Sequence, residues 1–366
     1  MENNENGTVL ESKIYVFKKV SLLDKFNFYE YLSIMLDGWV TILSALSWVW
    51  SKIENEYFKE KISELVVYIS SGDQLHKAMK KMPDVFPNSE TSIIEAGEKS
   101  WTLVGSLSSL ALELKKLHEL KSTIKTALTY PMIIIIFLVI AVLVVMTYVV
   151  PALIPLIEDA GVEKPLATVA LIATSDFIVN NFLFLILFAL LGMFGIYAYG
   201  KSDEGKKFFD ELFLSLPLIG KVYKNYIIAS TASVLGSLMN SWVPIMKALH
   251  LVGQTSNNVI YENLYADIAV RVSEWKKLVE SITLTDEQAK YFPPDFIQLL
   301  SVWERTATVG TVCKKLNESY TREVNYSLAN LTKWIEPIAI LVAWVFVLWF
   351  AFAIFGAILQ LTQTVG

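Results

Sequence analysis

Three long runs of the chain are almost wholly apolar: Met132–Val150, Val179–Tyr199 and Ile338–Leu359, none of which contains Lys, Arg, Asp, Glu or His. A helix needs about 20 apolar residues to cross a bilayer. Helices buried in soluble cores rarely run that far without a charge, so the pattern predicts three transmembrane helices. The remaining segments, about 22–125 and 220–330, carry helical periodicity instead. Leu103, Leu107, Leu110, Leu114 and Leu117 alternate spacings of four and three, and Ile124 and Leu128 resume the series after Lys121. That spacing puts them on one helix face. Two readings stay open: a core stripe in a helix bundle, or a seam between protomers. Few segments alternate with a period of two, so strands are not expected.

The polar segments repeat. Phe86, Glu98 and Pro131 recur as Phe292, Glu304 and Pro337, each 206 residues on, and Trp39, Ala45 and Leu46 recur as Trp242, Ala248 and Leu249, 203 residues on. Such agreement marks an internal duplication. Val309, Cys313, Leu316 and Tyr320 continue the leucine stripe in the second copy, with Cys313 in the place of Leu107. A lone cysteine there reads as a small buried hydrophobe rather than a nucleophile. Phe86-Pro87 and Phe292-Pro293-Pro294 fall between helical stretches, where proline holds the chain in a turn. Tyr130-Pro131 and Glu336-Pro337 stand where polar sequence becomes apolar. Proline there opens a helix, or kinks one that continues into the membrane. In the second case Tyr130, Pro131, Glu336 and Pro337 would couple each bundle to its span.

Charge sets an orientation. Lys115, Lys116, Lys121 and Lys125 precede the first span, Lys201, Lys206, Lys207, Lys221 and Lys224 follow the second, and Lys314, Lys315, Arg322 and Lys333 precede the third. The loop after the first span carries Glu158, Asp159, Glu163 and Asp176 against Lys164 alone. Basic flanks stay in the cytoplasm. The expected order is therefore a flexible tail (1–21), cytoplasmic helical domain 1 (22–130), a first span (131–150), a periplasmic loop (151–178), a second span (179–200), cytoplasmic helical domain 2 (201–336), a third span (337–359) and a periplasmic tail (360–366). The fold class is an all-α membrane protein: two homologous cytoplasmic helical bundles and three transmembrane helices, with the N-terminus cytoplasmic and the C-terminus periplasmic. At 54% hydrophobic and 18% charged the chain is too apolar for a soluble protein and too charged to be membrane throughout. A net charge of −5 without a dense basic patch argues against nucleic acid. One cysteine excludes an intramolecular disulfide and a thiolate metal cluster.

Candidate chemistry is sparse. Gly200 to Lys206 has the spacing of a phosphate-binding loop, but Lys207 stands where Ser or Thr should hold magnesium, and a membrane span precedes it instead of a strand. His76, His118 and His250 lack ligand spacing to one another. Glu95, Glu98 and Glu304 are the informative carboxylates. The one that recurs, Glu98 with Glu304, could pair with a base, cap a helix, bind a cation given further oxygen ligands, or face a partner. The spans hold no ionisable group, which disfavours a transporter.

Phe86-Pro87, Gly97-Glu98-Lys99-Ser100-Trp101, Ala127-Leu128-Thr129-Tyr130-Pro131 and Glu336-Pro337, in that order and spacing, resemble the inner-membrane platform family of type IV pilus assembly and type II secretion. The family motif has a second glycine where Trp101 stands, and the second copy, Trp303 to Ala307, lacks both glycines. The resemblance implies a scaffold in the bacterial inner membrane, without catalysis, cofactor or metal. It implies a type IV pilus platform that couples a cytoplasmic hexameric ATPase to pilin extraction. The alternatives are the platform of a type II secretion pseudopilus or, more remotely, a small membrane transporter. Implied partners are the assembly ATPase, pilin or pseudopilin subunits, other inner-membrane assembly proteins, the lipid bilayer, and a second copy in a homodimer or small homo-oligomer. Gly97, Glu98 and Glu304 are the residues expected in domain packing or partner contact.

Overall fold

The computed structural model describes residues 20–158, 165–217, 219–306 and 309–365. Every regular element among them is helical. Short polar side chains start the first helices. Ser21 and Asp24 form a capping box at α1 (Leu22–Asp37). Thr41 caps α2 (Ile42–Lys52) and Asn55 caps α3 (Glu56–Ser70). Each satisfies backbone N–H groups that a helix leaves open at its first turn. Then come α4 (Leu75–Lys80) and α5 (Asn88–Lys99).

From there the chain runs as one long helix. α6 (Leu103–Val144) passes through Pro131 without a break and leads through a π-helical turn, Val145–Val149, into α7 (Val150–Glu158). Next are α8 (Leu166–Asn180), α9 (Phe182–Tyr199) and α10 (Asp203–Ser215). The second copy follows as α11 (Ile219–Asn240), α12 (Ile245–Thr255), α13 (Val259–Ser273), α14 (Leu278–Thr285) and α15 (Pro294–Thr306). It ends in α16 (Val309–Val365), which runs through Pro337. Three helical stretches are long and apolar enough to cross a membrane: Leu103–Pro155, Phe182–Tyr199 and Gly310–Gly356. The expected tail of residues 1–21 lies outside the described residues except for its last two, as do Ala307 and residues 159–164.

The chain divides into two compact units. The first joins Met1–Glu119, Ser230–Thr255 and Leu264–Leu316; the second joins Leu120–Ala229, Ser256–Asn263 and Asn317–Gly366. Each Phe-Pro pair places its phenylalanine in the core of the first unit. Phe86 packs 5.7 Å from Phe28 and 6.2 Å from Phe58, and Phe292 stacks 5.3 Å from Phe296 with Tyr265 edge-on at 5.6 Å. Burying one such ring contributes roughly 1.5–3 kcal/mol. Leu107, Leu110, Leu114, Cys313 and Leu316 are all buried within this single chain, so of the two readings of the stripe the core is the one seen here. Further along, Ile124 is half-buried and Leu128 exposed: the register emerges from the packed core. Burial also pushes the Cys313 thiol up to about 12, which keeps it protonated.

In the second unit the segment expected as a loop, 151–178, is helical wherever it is described beyond Pro165 and before Asp159. Four of its five charges fall at 158–164, and the mostly apolar residues on either side wind into α7 and α8. Leu171 of α8 packs with Met146, Val150 and Ala353. Two hydroxyls pin the contact. Thr168 Oγ1 donates to the Ala353 carbonyl at 2.5 Å, and Ser175 Oγ donates to the Met146 carbonyl at 2.6 Å. Met146 lies in the π-helical turn, where the ladder of backbone bonds is disturbed, and the serine supplies a partner there. By contrast no residue of α9 is buried, as suits a helix surrounded by lipid.

Candidate functional site

Glu98 and Glu304 do the same thing in each copy. The first turn of α4 has no capping side chain of its own, and Glu98 of α5 supplies one: Oε1 accepts from the Leu75 N–H at 2.9 Å and Oε2 from the His76 N–H at 3.2 Å. The His76 ring also meets Glu98 Oε2 through Nδ1. In the second copy α14 likewise lacks its own cap, and Glu304 Oε1 accepts from the Val279 N–H at 3.2 Å. A carboxylate over a helix N-terminus also opposes the positive end of the dipole. Both residues thus tie one helix to the next inside the first unit.

Gly97 is a point of close approach. A Cβ at this position would lie 2.7 Å from Ser106 Cβ and 3.3 Å from Leu103 Cα, both on α6. Gly97→Ala is expected to cost about 1–3 kcal/mol by forcing α5 and α6 apart. Ser106→Gly in the same chain should recover most of it, which thermal unfolding of the purified protein would show. Pro131 is buried within α6, whereas Tyr130, Glu336 and Pro337 are exposed.

The sequence left a buried charge network unseen. Lys25 Nζ lies 2.8 Å from Glu90 Oε1, and the Tyr29 hydroxyl donates to Glu90 Oε2 at 2.7 Å. Burial, with the Glu90 charge beside it, raises the Tyr29 hydroxyl well above its ordinary range, so it remains a donor. Glu113 of α6 is buried in the same unit, and burial lifts its carboxyl to about 7. Its Oε2 has no hydrogen-bond partner among the described residues.

Four helix ends carry a further feature. Trp39, Trp101, Trp242 and Trp275 have φ of 61°, 61°, 60° and 67°, the left-handed region. Each follows a helix whose end is closed by a bond spanning the turn: Val40 N to Met35 O, Thr102 N to Gly97 O, Val243 N to Leu238 O and Lys276 N to Arg271 O. Glycine usually occupies this position. Gly72, at φ 100°, does so at the end of α3, 203 residues before Trp275. Trp101 therefore keeps the glycine conformation of the turn it occupies. All four indoles are 87–97% exposed. The repeat of Trp39 as Trp242, and a tryptophan in a glycine slot, were the signals in the sequence.

A groove runs beside two of these turns. About 280 Å³ in volume, it lies between α5 and the α11–α12 turn and is lined by Glu95, Lys99, Ser100, Trp242 and Lys247 among others. Glu95 is shared by Lys80 at 2.8 Å, Lys99 at 2.7 Å and Lys247 at 3.6 Å. Hydrogen bonds from Lys80 and Lys99 hold its carboxyl down at about 2. The segment with phosphate-loop spacing is a helix start: Ser202 accepts from the Gly205 N–H, and Asp203 and Glu204 fill the first turn of α10, where they would repel a phosphate. Among the described residues no three His, Cys, Asp or Glu side chains stand together as metal ligands.

Comparison with known proteins agrees with this architecture. The family model described as "Type II secretion system (T2SS), protein F" matches twice, over residues 28–151 and 231–357. The chain is 30% identical over 368 residues to a type IV pilus assembly protein PilC of Thermus thermophilus, covering 100% of this chain and 89% of that one. It is 27% identical to the Pseudomonas aeruginosa protein of the same description, covering 95% and 92%. With a type II secretion system protein F of Pseudomonas aeruginosa the identity is 26%, covering 81% and 73%.

Proposed function

Because the chain belongs to the type II secretion system protein F family, we propose that it is the inner-membrane platform of a type IV pilus assembly machine. In this reading it couples a cytoplasmic hexameric ATPase to extraction of pilins from the bilayer and their addition to a fibre. The carrying observation is that each copy of the family match begins in a polar helical bundle and ends in an apolar helix continuous with it, α6 through Pro131 and α16 through Pro337. A continuous helix transmits displacement along its axis, so movement imposed on a bundle reaches lipid depth. Tyr130, Pro131, Glu336 and Pro337 stand at those crossings. Apolar spans without ionisable groups suit contact with apolar pilin helices and supply no path for ions. The lysines flanking all three spans favour both bundles on the cytoplasmic side, with the N-terminus inside and the C-terminus in the periplasm. The chain itself would act without catalysis, as a homodimer or small homo-oligomer.

The pilus reading is preferred to the secretion one because the Thermus thermophilus pilus protein matches at 30% identity over the whole chain, against 26% over 81% for the secretion relative. A clean deletion is expected to abolish surface fibres while cellular pilin stays at its normal level. Normal fibres in that strain would overturn the reading, and intact fibres with loss of one exported protein would favour the secretion platform.

A further inference from the structure

Trp39, Trp101, Trp242 and Trp275 work against the fold in two ways. A side-chain-bearing residue in the left-handed region costs about 1–2 kcal/mol, which glycine would avoid. An indole left almost wholly in water also returns none of the burial energy that usually justifies a tryptophan. Gly72 shows that the same turn closes without one. Folding therefore does not account for these four residues. Tryptophan is the side chain most enriched among the residues that dominate binding at interfaces.

Two of the four stand apart by their surroundings. Trp242 lines the groove beside α5, and Trp101 directly follows Ser100 on its wall. Lys80, Lys99 and Lys247 share the single carboxylate of Glu95, and all three lysine side chains are 43–70% exposed. The site thus carries two positive charges in excess beside two exposed indoles. Trp39 follows Asp37 and Gly38, and the cleft that begins two residues after Trp275 balances Lys277 and Arg305 with Glu280 and Glu304.

We propose that this groove docks an acidic segment of a cytoplasmic protein partner, with Trp101 and Trp242 as its apolar anchors and Lys99 and Lys247 as its charge partners. The site rests on the platform reading, which supplies the assembly ATPase as that partner. A concave cleft favours a protein segment over a bilayer, whose planar surface cannot fill it. Attraction across a water-filled rim also makes the association salt-sensitive.

The test is a titration of the full chain, in phosphatidylcholine nanodiscs, with the purified assembly ATPase of the same organism. Trp101→Gly and Trp242→Gly relieve backbone strain, so their thermal midpoints should equal or exceed that of the parent. Each is nevertheless expected to weaken binding at least tenfold, as is the pair Lys99→Ala with Lys247→Ala. Trp39→Gly and Trp275→Gly should stay within twofold of the parent, and raising salt should weaken the parent complex. Undiminished binding by Trp101→Gly and Trp242→Gly would overturn the site while leaving the platform reading standing. So would a loss of self-association in those variants, or a loss of binding to phosphatidylglycerol vesicles, with ATPase affinity intact. A parent chain with no affinity for the ATPase would bring down the platform reading and the site with it.

Discussion

Replacing Lys25 by methionine is expected to lower the stability of the chain by about 3–5 kcal/mol. Lys25 and Glu90 lie 2.8 Å apart with side chains only 11% and 7% exposed. Without the ammonium, Glu90 keeps only the Tyr29 hydroxyl, and a carboxylate shielded from water must then be held against its full desolvation cost. The loss should appear as a fall of about 10 °C in the thermal midpoint of the purified full chain. Glu90→Leu alone should cost a similar amount, because it strands the ammonium instead. The triple variant Lys25→Met, Tyr29→Phe, Glu90→Leu removes every polar member together and should recover most of the loss. Buried ion pairs often contribute little net stability while being expensive to break from one side. A drop under about 1 kcal/mol for Lys25→Met would show the pair to be solvated, and the α1–α5 contact to rest on its apolar residues.

That network shows where sequence reading reached and where it stopped. The spans were legible because a run of that length without any ionisable residue suits lipid and little else. The duplication was legible because its landmarks recur at two nearly equal intervals, 206 and 203 residues: the two family matches start 203 residues apart, the interval between Trp39 and Trp242. Contacts through space were not. Lys25 and Glu90 are 65 residues apart, and no local pattern pairs them. Glu98 and Glu304 could be singled out by recurrence, yet choosing among cap, ion pair, cation site and partner contact needed the helix that each one meets. α8 was hidden because the acidic cluster before it reads as a loop, while its packing partners, Met146 and Ala353, lie far away in sequence. Trp101 was visible as a departure from a glycine, but only its φ shows that the turn kept its shape and the side chain was carried outward.

Glu113→Gln is expected to do the opposite of Lys25→Met: to stabilise the chain, and only above acidic pH. Glu113 lies between Leu110 and Leu114 on the buried face of α6, nearly 20 residues before the first apolar span begins. Burial is the main cause of its raised value, and the nearby Glu90 charge adds to it. The Ser237 hydrogen bond and Lys116 pull the other way without restoring the ordinary range. In the folded chain the carboxyl holds its proton up to about pH 7, whereas in the unfolded chain it releases it near 4.5. Between those values the folded state binds more protons, so stability falls as pH rises from about 4.5 to about 7. Below that window both states are protonated and nothing is lost. Above it the full penalty applies, roughly 3 kcal/mol for a shift of this size. Glutamine cannot ionise and keeps the shape, so unfolding midpoints of the variant should exceed the parent's at pH 8 and converge with them near pH 5. Curves that run parallel across that range would mean that Glu113 is charged and solvated in the folded protein. A variant less stable than its parent at pH 8 would mean that the carboxylate has a partner which the amide cannot replace. Convergence only at low pH would instead locate the pH sensitivity of this bundle in one carboxyl of α6, the helix that continues into the first span.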